Sequence, residues 1–366
     1  MPYPTKSTSL LFLLLFVLFL IGCAKSPVAF KPRPATILQP PAPEFSGMRI
    51  EVNGQKISPM VPTLLMLPED PLDIRIQDEN EPTSGHPRNS RPNTESWSVV
   101  FNGHPMNYIG NNRFSGTISE GPGLYPLKIE NRPLSNQNPV SPKSIQGPGR
   151  ENLGPALLVI VLHPFSRVMD GYIDRFPIGF YPDPEEAPEK VIPKIARSNY
   201  LPPKGFIEVN ASNLERFVSQ HYRLRDFISH LNVPFPHYIA LSPALLLKLE
   251  WLTLYLKQYS QNPEARLTIL SGFRTPRYNQ TVAGALWSRH IYGDAADLIV
   301  DLSPEDGFMD DLNCDGLIDR EDVMVLARFI EEVDSKTGLR GGMGVFDRGK
   351  NGPSLHIDTR GFNARW

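Results

Sequence analysis

Two short stretches hold residue types whose spacing could do chemistry. One is Ser288-Arg289-His290-Ile291-Tyr292-Gly293-Asp294-Ala295-Ala296-Asp297, the other Leu355-His356-Ile357-Asp358. A hydrolytic zinc takes three protein donors and keeps one position open, and neutral imidazole with carboxylate suits it. His290 and Asp297 are separated by a turn containing Gly293 and small alanines, so a loop can present His290 while Asp297 sits on a strand over 296–300. The third donor must come from elsewhere, and His356, in a predicted strand, is the best candidate. Singly each signal is weak: a lone histidine is more often packed or solvated, and a lone aspartate usually caps a helix or faces water.

The neighbouring segments must position these groups. Residues 266–270 read as a strand running into Ser271-Gly272-Phe273-Arg274. Before it, Ser242 can cap a helix and Pro243 suits its first turn, with Leu245, Leu246, Leu249, Leu252 and Leu256 on one stripe. Residues two apart on a strand face the same side, so His356 and Asp358 can both point at one pocket.

Together these residues resemble the family of zinc D-Ala-D-Ala peptidases and murein endopeptidases. The signature Ser-x-His-x-x-Gly-x-Ala-x-Asp is matched at Ser288, His290, Gly293, Ala295 and Asp297, and the later strand histidine at His356. The resemblance runs from near Tyr238 to Trp366. It includes Ser271-Gly272-Phe273-Arg274-Thr275-Pro276, His356-Ile357-Asp358-Thr359-Arg360-Gly361 and Ala364-Arg365-Trp366. It implies an α+β domain with a small antiparallel sheet, a zinc held by His290, Asp297 and His356, and hydrolysis of peptidoglycan stem peptides or cross-links. The action would be that of a DD- or LD-carboxypeptidase or endopeptidase.

The same resemblance assigns roles. Zinc activates water and polarises the scissile carbonyl, and a base must move the proton. Several branches place a Glu three residues before the last histidine; here that position is Pro353. The sequence resembles instead the branch with His-x-Asp, which makes Asp358 the candidate base, against a competing role in orienting a ligand imidazole. Arg274 matches the family's arginine, suited to a peptide carboxylate or to the developing oxyanion, against a plain structural ion pair. Ser288 is expected to hydrogen-bond beside the ligands, and Asp294 has no role that can be argued. The missing Glu favours one alternative: a non-catalytic peptidoglycan-binding or scaffold lipoprotein with a structural zinc.

Between the two halves of the site lies Asp311-Leu312-Asn313-Cys314-Asp315-Gly316-Leu317-Ile318-Asp319-Arg320-Glu321-Asp322. Oxygen donors at Asp311, Asn313, Asp315, Asp319 and Asp322, with the Leu317 carbonyl, fit the calcium loop of an EF-hand, and a helix over 323–332 is expected to follow. Asp at the last position resembles the dockerin version. A dockerin carries two such loops and one is found here, so a structural calcium clip within the peptidase domain is the expectation.

The first 22 residues read as a lipoprotein signal peptide: Lys6, then an apolar run over 10–22, then Leu20-Ile21-Gly22-Cys23, which resembles a lipobox. Lipidated Cys23 would anchor the chain at a membrane. Ala24 after it looks like an outer-membrane address, on the periplasmic face. Residues 23–45 form a proline-rich tether. The span 46–165 has strand patterns and Asn53-Gly54 and Asn102-Gly103 turns, expected to form an immunoglobulin-like β-sandwich. Residues 166–237 read as a proline-rich connection, and 238–366 as the peptidase domain. A net charge of −2 gives no case for nucleic acid, and after processing Cys314 is the one cysteine besides Cys23, so no disulfide framework is expected.

Overall fold

A computed structural model of the chain describes residues 48–78, 95–133, 153–302 and 305–366. The expected signal peptide, Cys23 and the tether lie outside the described residues, as do parts of the 46–165 module. Among the described residues no helix is long and apolar enough to cross a membrane.

Among its described residues the N-terminal module forms two five-stranded sheets. The first has the order β2-β1-β4-β8-β7, from β1 (Met48–Val52), β2 (Gln55–Lys56), β4 (Pro71–Asp78), β7 (Asn107–Gly110) and β8 (Arg113–Thr117). The second has the order β3-β10-β9-β5-β6, from β3 (Thr63–Met66), β5 (Glu95–Phe101), β6 (His104–Pro105), β9 (Gly123–Pro133) and β10 (Leu153–Val161). Both predicted Asn-Gly turns form: Asn53 and Gly54, like Asn102 and Gly103, all have positive φ, the backbone that a two-residue hairpin turn demands. Leu72, Ile74 and Ile76 alternate inward from β4 and meet Leu127, Ile129, Leu157, Val159 and Val161 from the other sheet in one core.

The continuous apolar run at 157–162 has a simple cause. Leu157, Val159 and Val161 face that core, whereas Leu158, Ile160 and Leu162 belong to the core of the C-terminal region. A strand buried on both faces has no polar side to alternate with.

The span 166–237, expected to be a connection, is built into that second core. It carries β12 (Tyr172–Ile173) and β13 (Phe176–Pro177), and it contributes β14 (Gly205–Val209) to a three-stranded sheet with β11 (His163–Pro164) and β15 (His237–Ile239). Ile173, Phe176, Phe206, Ile207 and Tyr222 are buried there. Its elements are two to seven residues long and broken by proline, too short for a periodicity to register.

The C-terminal region is α+β. Helix α1 (Pro243–Ser260) starts at the expected proline, with all five leucines of the stripe buried. A short α2 (Pro276–Thr281) and a longer α3 (Arg320–Thr337) follow. The sheet has the order β16-β17-β19-β18-β20, from β16 (Leu267–Ser271), β17 (Ala295–Val300), β18 (Gly342–Phe346), β19 (Ser354–Asp358) and β20 (Ala364–Arg365). Its two inner neighbours, β17 and β19, run antiparallel with Asp297 directly opposite His356. That register joins two segments nearly sixty residues apart.

Candidate metal centre and its cleft

The structure brings His290, Asp297 and His356 together. His290 Nε2 lies 3.1 Å from Asp297 Oδ1 and 3.2 Å from His356 Nδ1, and His356 Nδ1 lies 2.9 Å from the same Asp297 oxygen. Among the described residues this is the group of three such side chains whose donor atoms converge. Donors on tetrahedral bonds of about 2.0–2.1 Å stand roughly 3.3 Å apart, so the separations fit zinc to within a few tenths of an ångström.

The local chain explains how each donor is aimed. His290 sits in a 3₁₀ turn, Arg289–Tyr292, that ends at Gly293 with φ 75°. A Cβ on Gly293 would lie 2.3 Å from the Ala240 carbonyl oxygen, so glycine is required there both for the backbone conformation and for the close approach. His290 Nδ1 donates to the Gly272 carbonyl at 2.7 Å, which leaves Nε2 as the free lone pair. Burial pushes the His290 imidazole below its ordinary pKa. Burial alone would raise Asp297, but His290 and His356 beside it hold its carboxyl well below the usual carboxylate range. Neutral imidazole and ionised carboxylate are the forms that bind a metal.

His356 is turned by Asp358. Its Nε2 lies 3.2 Å from Asp358 Oδ2, so the imidazole donates there and frees Nδ1 for the cluster. Asp358 is fully buried. Its Oδ1 also accepts from Gly342 N at 2.7 Å and Arg360 N at 3.0 Å, and the Arg360 guanidinium Nε reaches both oxygens at 3.0 Å. Burial would raise its pKa, but His356 and Arg360 hold it far below the usual range. From the other side, Lys248 of α1 donates to the Asp358 carbonyl at 3.2 Å and to the Leu339 carbonyl at 3.1 Å.

The remaining expected site residues are placed as follows. Arg274 Nη2 pairs with the outer oxygen of Asp297, and its Nε donates to Ser271 Oγ at 2.9 Å. Ser288 is the residue before the 3₁₀ turn and lines the cleft, with no capping hydrogen bond from its hydroxyl; Gly272 supplies the orienting contact to His290. Asp294 does have a part. It pairs with Arg289, Nε to Oδ1 at 3.0 Å, and the guanidinium also donates to the Asn199 carbonyl and stacks over Tyr200 and Tyr292. This buried pair fastens the His290 turn to the 199–200 segment, a wall that sequence patterns gave no sign of.

The calcium reading gains no support from the side chains of 311–322, which serve the turn itself. Asp311 accepts from the amides of Cys314 at 2.7 Å and Gly316 at 2.8 Å, and Asp315 from Leu317 N at 2.8 Å. Asn313 Oδ1 accepts from Asp315 N at 2.9 Å, and Asp319 caps α3 through Glu321 N at 2.8 Å. Asp322 is fully buried and binds the amides of Leu312 and Asp319. These carboxylates do not form a converging donor group like that of His290.

Comparison with known proteins adds one observation. Residues 239–310 match the Peptidase M15 family. The matched span holds His290, Asp297 and Arg274, and the fold supplies His356 from beyond it. No curated protein matches the chain. The family match and the His-Asp-His cluster together support a metallopeptidase.

Proposed function

We propose that this chain is a zinc peptidase that hydrolyses peptidoglycan stem peptides or cross-links. The observation that carries it is the convergence of His290 Nε2, Asp297 Oδ1 and His356 Nδ1 at the floor of an open cleft of about 620 Å³. A zinc held by these three supplies Lewis acidity, which makes water nucleophilic near neutral pH and polarises a peptide carbonyl. The protein's own groups prepare the site. Gly272 and Asp358 fix the tautomers of the two imidazoles, and Arg274 pairs with the outer oxygen of Asp297 while the other oxygen is turned to the cluster.

Asp358 acts in this scheme by orienting His356. Its oxygens already accept from His356, Gly342 and Arg360, so an incoming water finds no free lone pair directed at it. Among the described cleft residues the one carboxylate side chain is Asp297, which is the observation favouring the non-catalytic alternative. Incubating zinc-loaded protein with purified sacculi, with and without chelator, separates the two. Chelator-sensitive release of new amino groups supports the peptidase; unchanged sacculi leave a binding protein.

Three further assignments belong to the proposal and rest on the sequence. Cys23 carries a lipid and holds the protein at the periplasmic face of the outer membrane. The module of two sheets is immunoglobulin-like and spaces the peptidase from that surface. Asp311, Asn313, Asp315, Leu317, Asp319 and Asp322 hold a structural calcium on the strength of their spacing.

A further inference from the structure

We infer that the cleft between the two-sheet module and the start of α1 is a second binding site, which takes a small organic phosphate with an apolar body. The cleft measures about 620 Å³, an ordinary size for a small-molecule site. It shares no lining residue with the metal cleft. The 3₁₀ turn Arg289–Tyr292 contributes to both, with Arg289 and His290 on the metal side and Tyr292 on this one.

Three kinds of donor line this cleft without an acceptor. Tyr292 is 8% exposed, and its hydroxyl has no hydrogen-bond partner. Burying an unpaired hydroxyl is costly, so a ligand oxygen that accepts from it is favoured. Helix α1 opens at the same cleft with Ser242, Pro243 and Ala244. The Ser242 side chain makes no capping hydrogen bond and Pro243 has no N–H, so the amides of Ala244 and Leu245 begin an 18-residue helix without a side-chain cap. A helix start of that kind carries partial positive charge and suits an anion. Lys56 and Lys204 add two full charges, and among the described residues neither is in an ion pair. Asp70 is the one carboxylate of the described lining, and its Oδ2 already accepts from Leu67 N at 2.8 Å.

The donor types select the anion. No arginine is in the described lining, so the flat fork that matches a carboxylate in two-point contact is missing. Lysine acts as a point charge, and ammonium, amide and phenol donors can each take a separate oxygen of a tetrahedral phosphate. The rest of the lining selects the body. Ile57, Val61, Leu64, Leu241, Leu247 and Leu339 offer apolar surface that a bare inorganic ion would leave unused, whereas a short hydrocarbon attached to the phosphate would cover it.

The test is calorimetry on the full, zinc-loaded chain carrying Cys23→Ser, so that no detergent competes for the cleft. The probes are hexyl phosphate, inorganic phosphate and heptanoate, each titrated with and without chelator because phosphate also binds zinc. Hexyl phosphate should bind one per chain with chelator present, at least about tenfold more tightly than inorganic phosphate, since each buried methylene contributes to affinity. It should also bind more tightly than heptanoate. Lys204→Gln and Tyr292→Phe should each weaken it by about tenfold, the worth of one hydrogen bond to a charged group. Tyr292→Phe removes only an unpaired hydroxyl, so the melting temperature without ligand should hold or rise. No binding once the metal is chelated, or affinity unchanged in both variants, would overturn the site. Heptanoate or inorganic phosphate binding as tightly as hexyl phosphate would overturn the ligand class.

Discussion

Replacing Asp358 by Asn tests how the site is held together. The side chain keeps its size, loses its charge, and puts an amide NH₂ in the place of one oxygen, where it faces donors whichever way it turns: Gly342 N and Arg360, or His356 and Arg360. Arg360 is left without its counter-ion in a site where Asp358 is fully buried. Breaking a buried pair on one side costs about 3–5 kcal/mol; with Arg360 still partly in contact with solvent, about 2–3 kcal/mol is reasonable. His356 also loses the charged acceptor that fixes its tautomer, and disturbing such an outer partner lowers metal affinity about 10- to 100-fold. The assay is a chelator competition for zinc, beside urea unfolding of the metal-free protein. Weakened zinc together with lowered stability is the expected result. Full zinc affinity with turnover lowered about a hundredfold or more would refute it and make Asp358 the general base.

Other outcomes follow from particular residues. Gly293→Ala places a Cβ 2.3 Å from the Ala240 oxygen at φ 75°, and should cost at least about 2 kcal/mol in urea unfolding; a loss under about 0.5 kcal/mol would mean the turn relaxes freely. Calcium should raise the melting temperature of the zinc-loaded protein by mass action but not that of Asp315→Ala, and no shift in either leaves 311–322 an acidic turn. Cys23→Ser should abolish acyl labelling and release the protein from membranes; continued retention points to an uncleaved apolar anchor.

The sequence was most legible where local rules decide. Asn-Gly turns, the leucine stripe of α1 and the strand around Asp297 depend on near neighbours, and they appear where expected. The His-Asp-His cluster was legible because His290 and Asp297 lie seven residues apart and His356 sits in a short strand pattern. What stayed hidden depends on partners distant in the chain. The clamp on His356 needs Arg360, Gly342 and Lys248, which come from a loop, a strand and a helix. Thr359-Arg360-Gly361 stood in the resemblance, but nothing in its spacing says that Arg360 pairs with Asp358. The wall at Val191 and Tyr200 lies in proline-broken chain, whose burial follows from tertiary packing that no periodicity records. In the acidic loop the calcium-type spacing was legible, whereas the hydrogen bonds of its carboxylates to their own amides were not.

The central claim is that zinc on His290, Asp297 and His356 drives hydrolysis. It is tested most directly by measuring peptidoglycan cleavage against zinc content as the metal is withdrawn by chelator and returned. The account predicts a line through the origin that reaches full activity at one zinc per chain, with His356→Ala at the origin throughout. Cleavage that persists at zero zinc, or full zinc binding by His356→Ala, would contradict it.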